Sequence, residues 1–347
     1  MSVSGSDSNR YIPPQQNEEK HAPKEITGNK DSLQTQKPEE PSKQGSSDDI
    51  MLRKNILMDS DEKVEIASNP HDNRELLPWI DTLEISADHH NLSNTPNIGR
   101  FRWVVSKKNK EKVYLDGGST KEAYLVYDPD NGRYCCILLD SNPLLDNDYN
   151  PNKSRIDIYT EISTFPEKDQ QYFPKFLGSG ITSKENESYG YLVFSLEGPK
   201  NLTLCEDEDM NSKLYLAGQC LKCVAILHDH NIANRDIGEE DLVITPENTV
   251  KLIDFGHGIG KSASPEELSK GKVNDRKDLA DIFREFLQFD SHLFRTIQHE
   301  NEVKPSSYFE SLLKQSELTV TDLFELILNM NTSLNEIISI FPRIKID

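Results

Sequence analysis

Short apolar segments separated by turn residues dominate the chain from residue 101 onward. Four of them are rich in Val, Ile, Leu, Tyr and Phe, and the turns between the later ones are Gly-Gly and Asp-Pro-Asp-Asn-Gly. This pattern predicts antiparallel hairpins formed by residues 101–105, 112–115, 122–127 and 134–139. Residues 173–177 and 191–194 predict two further strands.

Helical periodicity appears in three places. Residues 213–228 put Leu214, Ala217, Leu221, Val224 and Leu227 on one stripe, which predicts a long buried helix. Ile158, Ile162 and Phe165 are spaced for one face of a helix over residues 155–165. Residues 76–83 are interpreted as a short amphipathic helical turn that ends before the Asn- and Pro-containing stretch 91–96.

The N-terminal part of the chain has a different composition. Residues 1–75 consist mainly of Ser, Asp, Glu, Lys, Gln, Asn and Pro, which cannot bury enough apolar surface to offset the loss of chain entropy. We therefore predict a disordered acidic and polar tail over residues 1–75, a leader segment over residues 76–100 and a folded domain over residues 101–347.

Charge and composition exclude some functions. The formal net charge of -20 argues against binding nucleic acid or an anionic membrane through bulk electrostatics. No apolar run is long enough to span a membrane, and the N-terminus has no secretory signal, so we expect a cytoplasmic or nuclear protein. The five cysteines lack the second pair that a zinc site would need and are interpreted as buried thiols.

Two motifs point to phosphate chemistry. Asn234-Arg235-Asp236 is followed eighteen positions later by Asp254-Phe255-Gly256, and an apolar segment precedes the second motif directly. The pair resembles the H-R-D and D-F-G motifs of protein kinases. Asn234 stands where kinases have histidine, and Gly238 stands where they have a phosphate-facing lysine.

This resemblance implies a fold, cofactors and roles for particular residues. The fold class would be α+β, with a small antiparallel β lobe plus one helix and a larger helical lobe that enclose an ATP and Mg²⁺ site. By position, Asp236 would be the catalytic base, and Asp254 and Asp241 the metal ligands. Asp241 replaces the usual asparagine but keeps an oxygen ligand that suits Mg²⁺.

The phosphate-covering loop and its lysine depart from the kinase pattern. Leu138 occupies the strand position at which kinases carry the phosphate-binding lysine. The segment Gly117, Gly118, Ser119, Thr120 and Lys121 is similar to the corresponding loop of the with-no-lysine kinases, in which a loop lysine takes over that role. The alternative interpretation is an ordinary hairpin turn with an exposed lysine. Glu161 matches the helix glutamate that orients the phosphate-binding lysine in kinases.

Further resemblances extend to the C-terminus. Glu197 lies in a segment that resembles the hinge of casein-kinase-1-like enzymes. Residues 264–268 resemble the end of an activation segment, residues 276–283 resemble the buried helix anchored by an aspartate, here Asp278, and residues 334–339 resemble the last kinase helix. The segment between Gly256 and residue 264 is short for a peptide-docking platform.

Three functions stay open on these residues. The chain is either a divergent Ser/Thr protein kinase, a pseudokinase that serves as a binding or scaffolding module, or a kinase-fold enzyme that acts on a small molecule. The retained carboxylates favour activity and the lost lysines oppose it. The partner would be a protein, as substrate or as binding partner.

Overall fold

The computed structural model describes residues 80–86, 97–117, 121–144, 153–184, 187–198, 200–301 and 304–345 of the 347-residue chain. All of them belong to one compact unit, Gly45–Asp347. The predicted tail and part of the predicted leader lie outside the described residues.

The described residues contain an antiparallel sheet of seven strands in the order β1-β2-β4-β5-β7-β6, with β3 also paired to β4. The strands are β1 Leu83–Ile85, β2 Arg102–Ser106, β3 Tyr114–Gly117, β4 Lys121–Asp128, β5 Arg133–Asp140, β6 Phe176–Lys184 and β7 Glu187–Ser195. A second sheet, in the order β10-β9-β8, consists of β8 Lys200–Asn201, β9 Leu242–Ile244 and β10 Val250–Leu252.

The first sheet has seven strands, one more than the six strand segments predicted. Of the helical turn predicted over residues 76–83, the structure describes residues 80–83; residues 80–82 form a 3-10 turn, and Leu83 begins strand β1. This strand pairs with β2, and the Leu83 side chain is buried against Val104 and Leu125. Burial of this leucine against the sheet therefore overrides a helical pattern that is only one turn long.

The β4–β5 hairpin fixes the register that matters for the site. Its turn is closed by Gly132, whose φ of +63° is the left-handed conformation that glycine adopts without steric cost. Pairing then runs without interruption from Asp128 opposite Arg133 to Lys121 opposite Asp140. The first residue of β4 therefore faces the last residue of β5.

Eight α-helices lie in the described part of the chain. They are α1 Lys153–Ile162, α2 Glu167–Gln170, α3 Met210–Asp229, α4 Pro265–Phe286, α5 Ser291–Asn301, α6 Ser306–Leu312, α7 Val320–Leu328 and α8 Leu334–Ile340. The fold class is thus α+β, as predicted. Helix α3 corresponds to the predicted stripe, and Asp209 caps it by accepting from the backbone N–H groups of Asn211 and Ser212.

Helix α4 begins earlier than expected. Ser264 is its N-cap and accepts from the backbone N–H of Glu267, whose carboxylate accepts from Ser264 in return, and Pro265 occupies the first turn. This is a capping box with proline at a favoured position. Residues 264–268, predicted to end a separate segment, are therefore the start of the same 22-residue helix that contains Asp278.

One large apolar cluster connects α1 and the first sheet with α3, α4, α7 and α8. Phe255 is fully buried in it, and its ring meets the ring of Tyr159 edge-on at 5.1 Å. The apolar core therefore holds α1 against the Asp254-Phe255-Gly256 motif. No helix within the described residues has both the length and the apolar character needed to cross a membrane.

Candidate functional site

Asn234 joins the two motifs. Its side chain is fully buried, and its Nδ2 donates a hydrogen bond of 2.9 Å to the backbone carbonyl of Asp254. Both loops adopt left-handed backbone conformations beside this bond, with φ of +75° at Arg235 and +51° at Asp254. Asparagine therefore supplies a donor between the loops at the position where kinases have histidine.

A buried aspartate of α4 binds the backbone of the loop that contains Asn234 and Arg235. Asp275 accepts from the backbone N–H groups of Asn234 at 3.1 Å and Arg235 at 2.6 Å, and its Oδ2 lies 2.9 Å from His228 Nε2. Asp278 was expected to anchor this loop, but it is only partly buried and accepts one longer bond of 3.3 Å from the N–H of Ile237. The main anchor is Asp275, one helical turn earlier.

The three carboxylates expected to act on phosphate and metal come together around these loops. Asp236 is 72% exposed, and its Oδ2 lies 3.6 Å from Nε2 of His257. Asp254 is 48% exposed, and its Oδ1 accepts from the backbone N–H of Gly256 at 2.8 Å. The exposed Asp236 is open to a hydroxyl group, as a general base must be.

Asp241 is the most perturbed of the three. Its carboxylate accepts from the backbone N–H of Gly238 at 3.0 Å. Burial raises the pKa of Asp241 to about 7, and repulsion from Asp254, Glu240 and Asp236 adds to this effect, while the Gly238 bond opposes it. A buried carboxylate next to another carboxylate is the kind of donor set that a divalent cation stabilises.

Lys121 lies in the same region. Its side chain is 11% exposed, and its Nζ forms an ion pair with Asp140, which is 10% exposed. Burial lowers the pKa of Lys121, Asp140 opposes this, and the charges of Arg155 and Asp254 also act on it. The interpretation as an exposed hairpin lysine is therefore wrong, because the side chain is mostly buried.

Glu161 is paired with a lysine other than Lys121. Its Oε1 lies 2.5 Å from Nζ of Lys261, which follows the Asp254 motif and is 64% exposed. These ion pairs give Glu161 and Lys121 different partners, so they do not support the expectation that Glu161 orients Lys121. Helix α1 instead presents Arg155 to the site, with its Nη2 3.3 Å from Oδ1 of Asp254.

The remaining predicted ligand residues are only partly described. Gly117 ends β3, directly before the gap in the described residues, and Gly118 and Ser119 lie outside them. Glu197 lies after β7, where its carboxylate accepts from the Ser195 hydroxyl and forms an ion pair with Lys251. With its side chain held in this way, Glu197 could meet a ligand only through its backbone.

The site fits a metal that is shared with phosphate better than a metal held by protein alone. No group of three or more His, Cys, Asp and Glu side chains in the described ranges is arranged to hold a metal ion. Asp241 and Asp254 would provide two oxygen ligands, and Mg²⁺ at nucleotide sites takes its other ligands from phosphates and water. The residues present therefore fit Mg²⁺ with a nucleotide.

A groove of about 530 Å³ lies elsewhere on the molecule. It is formed by the end of α3, the first half of α4 and the segment from Met330 to Asn335. None of the predicted site residues lines this groove.

Comparison with known proteins does not assign the chain to a family. The chain matches no protein-family model and no curated protein sequence.

Three residues of the site were missed in the sequence. The positions of Arg155 and Lys261 depend on tertiary packing of α1 against the Asp254 motif. Asp140 could have been found, because counting outward from the Asp128–Arg133 pair at the hairpin turn puts it opposite Lys121. A lysine and an aspartate at opposed strand ends is a detectable cross-strand signal.

Proposed function

We propose that this chain is a divergent protein-kinase-like protein of bilobal architecture that binds ATP with Mg²⁺ and transfers its phosphoryl group to a Ser or Thr hydroxyl. The observation that supports this most strongly is the Asn234–Asp254 hydrogen bond. It fixes the relative position of the two motif loops, which carry a candidate base and two candidate metal ligands. Fixed geometry of this kind is what phosphoryl transfer requires.

Each residue has a role in this proposal. Asp254 and Asp241 hold Mg²⁺, which when bound neutralises charge on the phosphates. Asp236 orients the attacking hydroxyl and accepts its proton. Lys121 contacts the phosphates from β4, at the cost of weakening its ion pair with Asp140. The backbone around Glu197 receives the adenine.

A second candidate is a pseudokinase that binds nucleotide and acts as a binding or scaffolding module. Two ion pairs favour it, because Lys121 is engaged by Asp140 and Glu161 by Lys261. Neither side chain is then arranged as in the lysine–glutamate pair on which kinase activity depends.

Nucleotide binding is tested by thermal unfolding of the full chain with ATP, with and without Mg²⁺. ATP at a hundred times its Kd stabilises the folded state by about 2.7 kcal/mol, which raises Tm by roughly 5 °C for a domain of this size. Asp254→Asn removes the charge that holds the metal, so the additional shift produced by Mg²⁺ should disappear. Asp207→Asn, at an exposed turn, is the matched control. Equal Mg²⁺-dependent shifts in wild type and Asp254→Asn would refute the metal assignment.

Phosphoryl transfer separates the two candidates. Radiolabelled ATP is incubated with the protein alone and with casein, in Mg²⁺ and in Mn²⁺. Loss of a general base typically lowers the rate 10²–10⁴-fold, so we expect Asp236→Asn to show that loss with ATP binding unchanged. If wild type binds ATP but transfers no phosphate with either metal, the pseudokinase candidate replaces the kinase.

A further inference from the structure

Arg155 is the only cation that the described residues place on the Asp254 carboxylate, and the kinase resemblance gives it no role. It lies in the first turn of α1, its side chain is 12% exposed, and its Nη2 is 3.3 Å from Asp254 Oδ1. The same oxygen also accepts from the backbone N–H of Gly256, so Oδ1 is shared between the guanidinium and the loop.

The guanidinium of Arg155 has a hydrogen-bond donor that the described residues leave unpaired. Its Nη1 is buried and has no hydrogen-bond partner among the described residues. A guanidinium presents its donors in a planar fork that matches two oxygens of a phosphate, and leaving a buried charged donor without an acceptor is costly. Nη1 is thus a donor for which a ligand oxygen is the missing partner.

Gly256 makes room for this arrangement. A Cβ built at residue 256 would overlap Nη2 of Arg155, so the guanidinium lies directly over the glycine backbone. The absence of a side chain at residue 256 leaves space beside Asp254. The guanidinium of Arg155, from α1, fills this space.

Two lysines near the site are already paired with carboxylates. Lys121 is bound to Asp140, and Lys261 is bound to Glu161. Arg155 and Asp254 both act on the charge of Lys121, which shows that the three charges share one region. Helix α1 thus brings a positive charge to the site, whereas the expected Glu161 would have brought a negative one.

Building on the proposed function, we propose that Arg155 is a phosphate-binding residue that directly contacts the β- or γ-phosphate of the nucleotide and lets the chain bind ATP without a divalent cation. Without metal, its guanidinium exchanges part of its contact with Asp254 for phosphate oxygens. With Mg²⁺ bound, Asp254 would be a ligand of the metal, and Arg155 would keep its contact with the phosphates.

The alternative is that Arg155 is only a counterion that neutralises Asp254. The two roles differ in their dependence on the ligand. A counterion affects the protein irrespective of whether the ligand carries phosphates, whereas a phosphate-binding residue affects ATP and leaves adenosine unchanged.

The test is the affinity of the full chain for ATP and for adenosine, measured by calorimetry in EDTA and again in Mg²⁺. We expect wild type to bind ATP in EDTA and Arg155→Met to weaken that binding about 10- to 100-fold, because hydrogen bonds to charged groups are lost. Arg155→Lys keeps the positive charge but not the planar fork of donors, so its ATP affinity in EDTA should lie between those of wild type and Arg155→Met. Adenosine affinity should be the same in all three.

Two further variants sharpen the test. Lys153→Met removes an exposed cation two residues earlier on the same helix and should leave ATP affinity unchanged. Asp254→Asn releases Arg155 from its carboxylate, so it should strengthen ATP binding in EDTA while it weakens binding in Mg²⁺. Because loss of Asp254 also removes a negative charge that repels the phosphates, the gain in EDTA supports the inference only if Arg155→Lys in the same protein reduces it. A gain that Arg155→Lys leaves unchanged would identify Arg155 as a counterion, and this comparison stays measurable if Arg155→Met fails to fold.

Each other result overturns the inference. Equal ATP affinities in EDTA for wild type and Arg155→Met, or an equal loss of adenosine binding, would show that Arg155 does not bind phosphate. ATP binding by wild type only in Mg²⁺ would overturn the inference and leave the proposed function intact. No binding of ATP in either condition would remove the proposed function as well.

Discussion

Replacing Asp241 by asparagine should stabilise the metal-free protein at neutral and alkaline pH. The folded protein raises the pKa of Asp241 from 3.8 to about 7, chiefly by burial and then by repulsion from neighbouring carboxylates. An acid whose folded pKa is higher than its unfolded pKa makes folding less favourable once it ionises. Asparagine has no charge to bury, and its side-chain oxygen can still accept from the N–H of Gly238.

The size of the expected stabilisation follows from the pKa shift of Asp241. A difference of about three pKa units at about 1.4 kcal/mol per unit corresponds to an upper limit of roughly 4 kcal/mol. The penalty is absent below about pH 4, grows as pH rises from 4 to 7 and is constant above 7. The advantage of Asp241→Asn over wild type should therefore increase by about 2 kcal/mol between pH 5.5 and pH 8.

The measurement is urea unfolding of both proteins in EDTA at constant ionic strength across this pH range. Asp207→Asn controls for the loss of one negative charge. Saturating Mg²⁺ with ATP should shrink the advantage of the variant, because a bound cation favours the ionised Asp241. A stability difference that is flat from pH 5.5 to pH 8, or a variant less stable than wild type at pH 8, would refute the reasoning.

Three further predictions follow from the structure. Lys121→Met should abolish any phosphoryl transfer and, because it removes the ion pair between two mostly buried side chains, destabilise the fold by about 3–5 kcal/mol. Activity equal to wild type would remove Lys121 from the site. Replacing Asp140 by leucine in the same protein should restore stability but not activity, and Leu138→Met should be nearly silent. Asp275→Ala should lower the free energy of unfolding in urea by about 3–5 kcal/mol, because two backbone N–H groups lose their acceptor. Asp278→Ala should lower it clearly less. Equal losses of stability in the two variants would contradict the assignment of Asp275 as the main anchor. Deletion of residues 1–75 should leave Tm unchanged, and a loss of several degrees would show that these residues support the fold.

The elements that the sequence predicted correctly are those with long periodic patterns or strong turn signals. Helix α3 has an apolar stripe over most of its length, and the β4–β5 hairpin is centred on a turn that ends in Gly132. Strand β1 has three residues, too few for any period to be visible. Its position depends on a pairing with β2, a partner more than fifteen residues away, which no local pattern encodes.

The start of α4 was missed for a different reason. Ser264, Pro265 and Glu267 form a complete helix-start signature, but the same residues also resemble the end of an activation segment. Local capping chemistry decides between these interpretations, because the capping box satisfies backbone N–H groups that are otherwise unpaired at a helix start.

The candidate site was predictable in Lys121 and three of its carboxylates but not in Arg155 and Lys261. Asp236, Asp241 and Asp254 lie close to one another in sequence on two loops joined by a short β-hairpin, so local structure brings them together. Arg155 and Lys261 reach their partners only through the packing of α1 on Phe255. Sequence spacing assigned Glu161 to Lys121 because it carries no information on the angle at which a helix faces a site.

The Asp275 anchor has a consequence for local unfolding, because the next residue of α4, Arg276, is also buried. Its buried guanidinium donates to the carbonyl oxygens of Leu326, Ile327 and Thr332. The residue before it, Asp275, binds the motif loop. Fraying at the end of α7 would expose this guanidinium and disturb the adjoining turn of α4, so both regions should open as one cooperative unit. In native-state hydrogen exchange, the amides of Asn234 and Arg235 should then share an opening free energy with those at the end of α7.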